Sequence, residues 1–269
     1  MKKLVIIHGV TGAIGSACLA HFASQKDTIV YGISRKAKDF TEFCVDGKLP
    51  ITTLICSISS ETYASRMAHY FTEAISSEMF SEIYYIHAVG LYPFEIDKKG
   101  NRFVEHDNDA DGINDRCQYL TKDLFSKFCL LLSSRAKKPV RSFLFGSIAD
   151  KYEPFAHMSW WKTMKELKEI ITYGQNKNGK FGTVSIVNIS SVLCPHELII
   201  RPFVFTATDA NPEYWLSPND VTLFISSLIE KGQKQKFQEY ELFKKLPDFD
   251  KEYYEDKFFT PRKIAELYK

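Results

Sequence analysis

Three glycines near the start of the chain restrict its fold more than any other sequence feature. A short apolar run over residues 3–7 precedes Gly9, Gly12 and Gly15, which are spaced three residues apart. An apolar run of this length is typical of a buried parallel strand, and residues 14–24 have the pattern of a helix. A strand, a glycine turn and a helix in this order indicate a backbone that can approach a phosphate group closely.

The glycine turn predicts a dinucleotide site. Residues without Cβ let the backbone come close to a pyrophosphate, and the helix behind them supplies free N–H groups and a positive dipole end. A tight turn that binds no ligand is the alternative interpretation. The residues expected to contact the cofactor here are Gly9, Thr11, Gly12, Ala13, Ile14 and Gly15.

The rest of the chain alternates strand and helix patterns. Further strands are predicted at 28–33, 51–55, 82–87, 140–145 and 183–189, and further helices at 60–78, 113–134, 159–173 and 218–230. This alternation predicts an α/β fold, a Rossmann-type doubly wound parallel sheet with helices on both faces. We expect residues 1–269 to form a single NAD(P)-binding domain, with a C-terminal substrate or lid region at about 195–269.

Composition and charge exclude several classes of protein. The formal net charge of +2 gives no electrostatic basis for binding nucleic acid or an anionic membrane. The six cysteines form no CxxC pair, so buried reduced thiols are expected. The N-terminal apolar run is too short for a signal peptide, which favours a cytoplasmic protein.

The end of the second predicted strand bears on the choice of cofactor. NAD-binding proteins place an acidic residue here for the ribose 2′-OH, whereas this chain has Ser34, Arg35 and Lys36. A guanidinium group can bind a 2′-phosphate, so NADP(H) is favoured over NAD(H). The alternative is that Arg35 is a solvated surface residue.

In order and spacing, residues 3–230 resemble the short-chain dehydrogenase/reductase family, and the glycine spacing is similar to its extended and atypical branches. The turn His87-Ala88-Val89-Gly90 resembles the family's Asn-Asn-Ala-Gly turn, with both asparagines replaced. The resemblance implies that Ala88 and Gly90 contact the cofactor. It also implies a contact from Ser57, which follows the third strand where the family often has an Asp for the adenine amine.

The same resemblance implies a set of catalytic residues. Asn114, Ser147 and Lys165 match three positions of the family's catalytic tetrad, and Lys165 would also hold the nicotinamide ribose. The fourth position, a tyrosine in the family, is Trp161 in this chain. An indole N–H can donate a hydrogen bond but cannot act as an acid or base near neutral pH. Tyr152 or His157 is a candidate replacement acid.

Simpler interpretations stay open for each of these residues. Ser147 can be a polar residue in a turn, Lys165 an exposed helix lysine and Asn114 a polar residue near a helix start. Two functions follow: an NADP(H)-dependent oxidoreductase acting on a small carbonyl or alcohol, or a non-catalytic nicotinamide-binding sensor or partner protein. A homodimer is compatible with either function.

No metal site is expected. Residues 107–112 resemble the first half of a calcium loop, but position 12 of that loop would be Gln118 and not a bidentate glutamate. A solvated acidic loop is the favoured interpretation.

Overall fold

The computed structural model describes most of the predicted sheet and four α-helices that pack against it. The described residues are 2–34, 51–55, 80–90, 94–96, 103–105, 118–147, 159–178, 181–190, 192–194, 215–232 and 235–244.

Within these ranges the elements follow one another in the predicted alternation. The strands are β1 (Lys2–His8), β2 (Thr28–Ser34), β3 (Ile51–Ile55), β4 (Phe80–His87), β5 (Phe94–Ile96), β6 (Phe103–Glu105), β7 (Val140–Ser147), β8 (Thr183–Ile189) and β9 (Phe237–Leu242). The helices are α1 (Ala13–Ala23), α2 (Leu124–Arg135), α3 (Ser159–Asn178) and α4 (Pro218–Lys231). A single π-turn, Tyr119–Asp123, leads into α2.

Seven of the strands form one parallel sheet. Its order is β3-β2-β1-β4-β7-β8-β9, and each neighbouring pair is parallel. The order runs outward in one direction from β1 and in the other from β4, so the switch point of the sheet lies between these two strands. The predicted doubly wound Rossmann-type fold is therefore confirmed.

Each face of the sheet buries its own core. In β1, Leu4 and Ile6 pack with residues of α2 and α3, whereas Val5 and Ile7 pack with residues of α1 and α4. This alternation follows from the two-residue period of a strand. Because both faces are covered, residues 4–7 of β1 form an uninterrupted apolar run, as the sequence pattern indicated.

Polar contacts join α1, α4 and β7 on one face. His21 Nε2 lies 3.0 Å from Ser226 Oγ, so the two helices share a hydrogen bond. The Arg141 guanidinium of β7 donates to the carbonyl oxygens of Leu228 at 2.8 Å and Ile229 at 3.1 Å. A cation at the last carbonyls of a helix satisfies groups that have no partner within the helix and also complements its dipole.

The structure differs from the sequence prediction in three places. The described part of the predicted helix 113–134 is not a regular α-helix throughout, because it includes the π-turn. The antiparallel pair β5–β6 and the seventh strand of the sheet, β9, were not among the predicted strands. The predicted helix 60–78 lies outside the described residues.

β9 belongs to the sheet although its sequence lacks a buried apolar run. Glu239 accepts a hydrogen bond from Asn188 Nδ2 at 3.1 Å and forms an ion pair with Lys168 Nζ at 2.8 Å. These contacts tie the strand to β8 and to α3. Part of the expected C-terminal lid region, 215–232 and 235–244, thus forms α4 and β9, while the lid itself stays a prediction.

The described cysteines include two inert thiols. Cys18 and Cys129 are buried and reduced, as predicted. Burial raises the pKa of the Cys18 thiol to about 11 and that of the Cys129 thiol to about 12. Neither is therefore a nucleophile at neutral pH.

Among the described helices, none is both long enough and apolar enough to cross a bilayer.

Helix α4 begins with a capping box that offers a test of the fold. Ser217 Oγ accepts a hydrogen bond from Asp220 N at 3.1 Å, and the Asp220 carboxylate accepts one from Ser217 N at 2.7 Å. We expect Ser217→Ala to lower the free energy of unfolding by about 1 kcal/mol, because an orphan N–H loses its acceptor. Urea denaturation would measure the change. Ser134→Ala, which removes an exposed hydroxyl at the end of α2, is the control and should cost less than about 0.5 kcal/mol; equal losses would contradict the assignment.

Candidate functional site

The glycine turn leaves β1 at the carboxyl edge of the sheet and runs directly into α1. Gly9 N–H donates to the Ile33 carbonyl at 2.9 Å, which holds the turn against the end of β2. Gly12 N–H then donates to the Gly9 carbonyl at 3.0 Å and closes the turn. The first turn of α1 therefore starts at a position fixed by two strands.

Two of the three glycines are required by the packing of the turn itself. Gly9 has a φ of 90°, a conformation that residues with a side chain rarely adopt, and a Cβ there would overlap the Ala88 carbonyl. A Cβ on Gly15 would overlap the Gly9 carbonyl. These positions let the turn, α1 and the end of β4 approach one another closely.

Gly12 is different, because a Cβ at this position would overlap no neighbouring atom. The nearest atom to a Cβ at this position would be the Gly9 carbonyl oxygen at 3.4 Å, an ordinary contact. Gly12 is also the N-cap of α1, where no side chain caps the helix and no acidic residue occupies the first turn. The helix N-terminus can therefore accept an anion, and Gly12 leaves room for it.

The ends of β2 and β4 flank this turn. Ser34 is buried, and its hydroxyl donates to Thr11 Oγ1 at 3.4 Å, so it touches the turn directly. Ala88 N–H donates to the His8 carbonyl at 2.8 Å, and Gly90 is exposed with open space around its Cα. Of the other predicted cofactor residues, Arg35 and Ser57 lie outside the described residues.

Parallel strands bring several predicted catalytic residues to the same edge. Ser147 is the last residue of β7 and pairs with Ile189 of β8. Because α3 connects these two parallel strands, its first turns, with Trp161 and Lys165, lie toward the carboxyl ends of the strands. Lys165 is exposed. Asn114, Tyr152 and His157 lie outside the described residues.

Three buried polar side chains at the ends of β1 and β4 lie next to the glycine turn, and their association was not predicted from the sequence. Tyr85 Oη lies 3.2 Å from His8 Nδ1 and 2.7 Å from His87 Nδ1, and His87 Nε2 lies 2.9 Å from the Leu120 carbonyl. We call His8, Tyr85 and His87 the His-Tyr-His cluster. The signal available in the sequence was a histidine at the end of each of two apolar strands that a Rossmann fold makes neighbours.

Burial keeps the histidines of this cluster neutral. It lowers the pKa of His87 to about 4, although the hydrogen bond to the Leu120 carbonyl acts in the opposite direction. The pKa of His8 also lies well below its usual range, because of burial first and of the neighbouring His87 second. Both rings are therefore uncharged at neutral pH.

The described residues contain no group of three or more His, Cys, Asp and Glu side chains suited to a metal ion. The acidic stretch 107–112 lies outside the described residues. A small cavity of about 20 Å³, lined in part by Lys3, Phe22, Tyr84 and Ile229, opens between β1, β4, α1 and α4. It has room for little more than a water molecule.

Comparison with known proteins identifies the same fold in solved enzymes. An alcohol dehydrogenase from Thermococcus sibiricus, complexed with 5-hydroxy-NADP, aligns with a TM-score of 0.64 at 10% identity, over 93% of this chain and 100% of the other. A short-chain dehydrogenase/reductase of the glucose/ribitol dehydrogenase type from Brucella melitensis gives 0.66 at 15% identity, over 90% and 94%. A 4-hydroxyisoleucine dehydrogenase complexed with NADH gives 0.68 at 13% identity, over 90% and 97%.

No family model and no curated protein sequence matches the chain. The likeness to solved structures is therefore one of fold. At that level it confirms the resemblance to short-chain dehydrogenases/reductases that the glycine turn and the order of elements indicated.

The neutral histidines predict a loss of stability in acid. The unfolded chain binds their protons below the ordinary histidine pKa of 6.5, whereas folded His87 does so only near pH 4. The contribution of the neutral histidines to the free energy of unfolding is thus fully present above about pH 6.5. It is lost as the pH drops toward 4, by on the order of 3 kcal/mol for His87 alone. Urea denaturation at pH 7 and pH 5 would measure it, with His87→Gln as the variant that weakens the dependence. A midpoint that does not move between these pH values would contradict the prediction.

Proposed function

We propose that this chain is an NADP(H)-dependent oxidoreductase that acts on a small carbonyl or alcohol substrate. The observation that carries the proposal is the uncapped helix N-terminus at the switch point of the sheet. There the uncapped N-terminus of α1, the turn containing Gly12 and the ends of β2 and β4 converge. Doubly wound sheets bind dinucleotides at this place, with the pyrophosphate at the first helix.

The residues around the turn fit a dinucleotide. Gly12 leaves space next to the N–H groups of Ala13 and Ile14, and Ser34 lies at the end of the strand that normally carries the ribose contact. When bound, the nicotinamide would supply or accept a hydride. Lys165 would hold its ribose, as the family resemblance implies.

The preference for NADP(H) comes from the residues that follow Ser34. Both residues that follow Ser34, Arg35 and Lys36, are cations, and they lie at the point where an acidic residue would select NAD. The similar solved structures include one complexed with an NADP derivative and one with NADH, so they support a nicotinamide cofactor and leave the preference to these residues.

The chemical step needs a proton donor that Trp161 cannot supply. Ser147 can orient a substrate oxygen by hydrogen bonding, and Asn114 can hold a water molecule in a proton relay. In the oxidoreductase proposal the acid is Tyr152, His157 or a group on the substrate itself. The second candidate function, a nicotinamide-binding sensor or partner protein, is favoured by one observation, the tryptophan at the family's tyrosine position.

Gly12→Val tests the anion site. The valine side chain would fill the space left for the pyrophosphate, so we expect NADPH binding to be lost while the free energy of unfolding changes by less than about 1 kcal/mol. Gly15→Ala is the matched comparison: its Cβ overlaps the Gly9 carbonyl, so it should destabilise the fold by about 1–3 kcal/mol. Calorimetric titration and urea denaturation would separate the two effects. Normal NADPH binding by folded Gly12→Val would show that the phosphate lies elsewhere.

A titration with both cofactors tests the preference for NADPH. We expect NADPH to bind more tightly than NADH, and Arg35→Ala to reduce that preference by about 1–3 kcal/mol, because a charge-assisted contact to the 2′-phosphate is lost. Lys26→Ala, which removes an exposed cation between α1 and β2, should leave the preference unchanged. Equal affinities for the two cofactors in the unmodified protein would refute the assignment.

Trp161→Tyr tests whether the site is catalytic. A phenol at this position, one helical turn before Lys165, would have its pKa lowered by the ammonium group. We expect the variant to gain carbonyl-reductase activity, or the unmodified protein to have activity that depends on Tyr152 or His157. Positioned acid–base catalysis is worth about 10²–10⁴-fold. The assay is NADPH consumption over a panel of aldehydes and ketones for the unmodified protein, Trp161→Tyr, Tyr152→Phe and His157→Ala.

Two outcomes of that assay decide between the candidate functions. If the unmodified protein and Trp161→Tyr both bind NADPH and both lack activity, the sensor or partner function takes precedence. If the unmodified protein is active and neither Tyr152→Phe nor His157→Ala slows it, the acid is neither of these residues and lies elsewhere, for example on the substrate.

A further inference from the structure

The hydrogen bonds of the His-Tyr-His cluster can run in only one direction. The Leu120 carbonyl can only accept, so His87 Nε2 carries the proton and donates to it. Nδ1 of neutral His87 then accepts from the Tyr85 hydroxyl. The phenol has no second proton, so its oxygen accepts from His8 Nδ1–H. Each ring is thereby assigned a single tautomer.

The surroundings of the cluster favour this neutral arrangement. The His8 ring lies 6.0 Å from the Phe128 ring and the His87 ring 5.4 Å from the Phe125 ring, measured between centroids. These phenylalanines of α2 separate the cluster from water. All three polar residues of the cluster are at most 1% exposed.

One end of the cluster is attached to the π-turn. Leu124 N–H donates to the Tyr119 carbonyl, five residues back, and not to the Leu120 carbonyl, which is its partner in a regular α-helix. The Leu120 carbonyl is instead bonded by His87 from the sheet. A side chain inserted into a helical ladder in this way is a known cause of an irregular turn.

The other end is attached to the glycine turn. His8 and His87 are paired residues in the register of β1 and β4, and each is the last residue of its strand. The residues that follow them, Gly9 and Ala88, are in direct backbone contact. The cluster therefore lies at the point where both turns leave the sheet.

We propose that His8, Tyr85 and His87 are positioning residues for the dinucleotide, which hold the turns after β1 and β4 at a fixed place relative to the start of α2. The proposal rests on the proposed function. Apolar side chains would fill this space without the cost of burying polar groups, so the cluster contributes a defined geometry and not cohesion alone.

The tautomers give a test that does not depend on cofactor. Long-range ¹H–¹⁵N spectra of the labelled full chain should show both rings neutral at pH 7, with His8 protonated at Nδ1 and His87 at Nε2. His8→Phe and His87→Gln assign the signals. A charged ring, or the opposite tautomer at His87, would overturn the proposal, because the direction of the hydrogen bonds would be different.

Cofactor affinity gives the second test. We expect His87→Leu to weaken NADPH binding about tenfold, because Tyr85 and the Leu120 carbonyl lose their partner. His87→Gln keeps a donor and an acceptor and should bind within about threefold of the unmodified protein. His21→Leu breaks a similar hydrogen bond between α1 and α4 and should leave affinity unchanged. Calorimetric titration well below the melting temperature measures all three.

The outcomes separate positioning from simple packing. If His87→Leu is less stable but binds NADPH as tightly as the unmodified protein, the positioning role is wrong and the proposed function stands. If the unmodified protein binds no dinucleotide, the proposed function fails and the positioning role fails with it. If His87→Leu does not fold, Tyr85→Phe decides, since it removes only the hydroxyl and should also weaken binding about tenfold.

Discussion

The close approach of two backbone turns determines the geometry of the carboxyl edge of the sheet. The Cα of Gly9 lies against the Ala88 carbonyl, and Gly15 brings α1 against the Gly9 carbonyl. These contacts leave no space for side chains at either glycine, and they hold the N-terminus of α1 over the switch point. Gly12, by contrast, could carry a Cβ, whose nearest neighbour would be the Gly9 carbonyl oxygen at 3.4 Å. The geometry of this helix N-terminus is therefore a property of backbone packing more than of any side chain.

Buried polar groups in this protein differ in how well their hydrogen bonds are satisfied. In the hydrogen bonds of the His-Tyr-His cluster, every donor faces an acceptor. This is the condition under which a buried polar network makes a core rigid. The Tyr84 hydroxyl is buried on the opposite face of β4, where no described residue gives it a hydrogen bond of good geometry, although Glu82 and Arg141 lie close enough to shift its pKa. It borders the small cavity, where a water molecule can satisfy it.

The sequence predicted the parts of the fold that depend on local pattern. The glycine spacing, the buried strands and the start of α4 at Pro218 are all encoded within a few residues, and the structure confirms them. β9 was missed because an edge strand is only half-buried and has no continuous apolar run. The π-turn was missed because its partner, His87, lies 33 residues away from Leu120. The roles of Asn114, Ser147, Trp161 and Lys165 are set by tertiary distances, so they stay predictions.

The strand order has a consequence for how the chain assembles. β1 has two neighbours in the sheet. One is β2, which follows soon in the chain and aligns its Thr28 with Lys3 of β1. The other is β4, which aligns its Tyr84 with Val5 of β1. At ribosomal rates of about 5–20 residues per second, the 79 residues from Ile6 to Tyr84 take about 4–16 s to synthesise. During that interval the apolar strand has at least one unpaired edge, and non-local pairing of this kind slows folding. Residues 4–7 therefore stay without their second neighbouring strand until β4 has been synthesised.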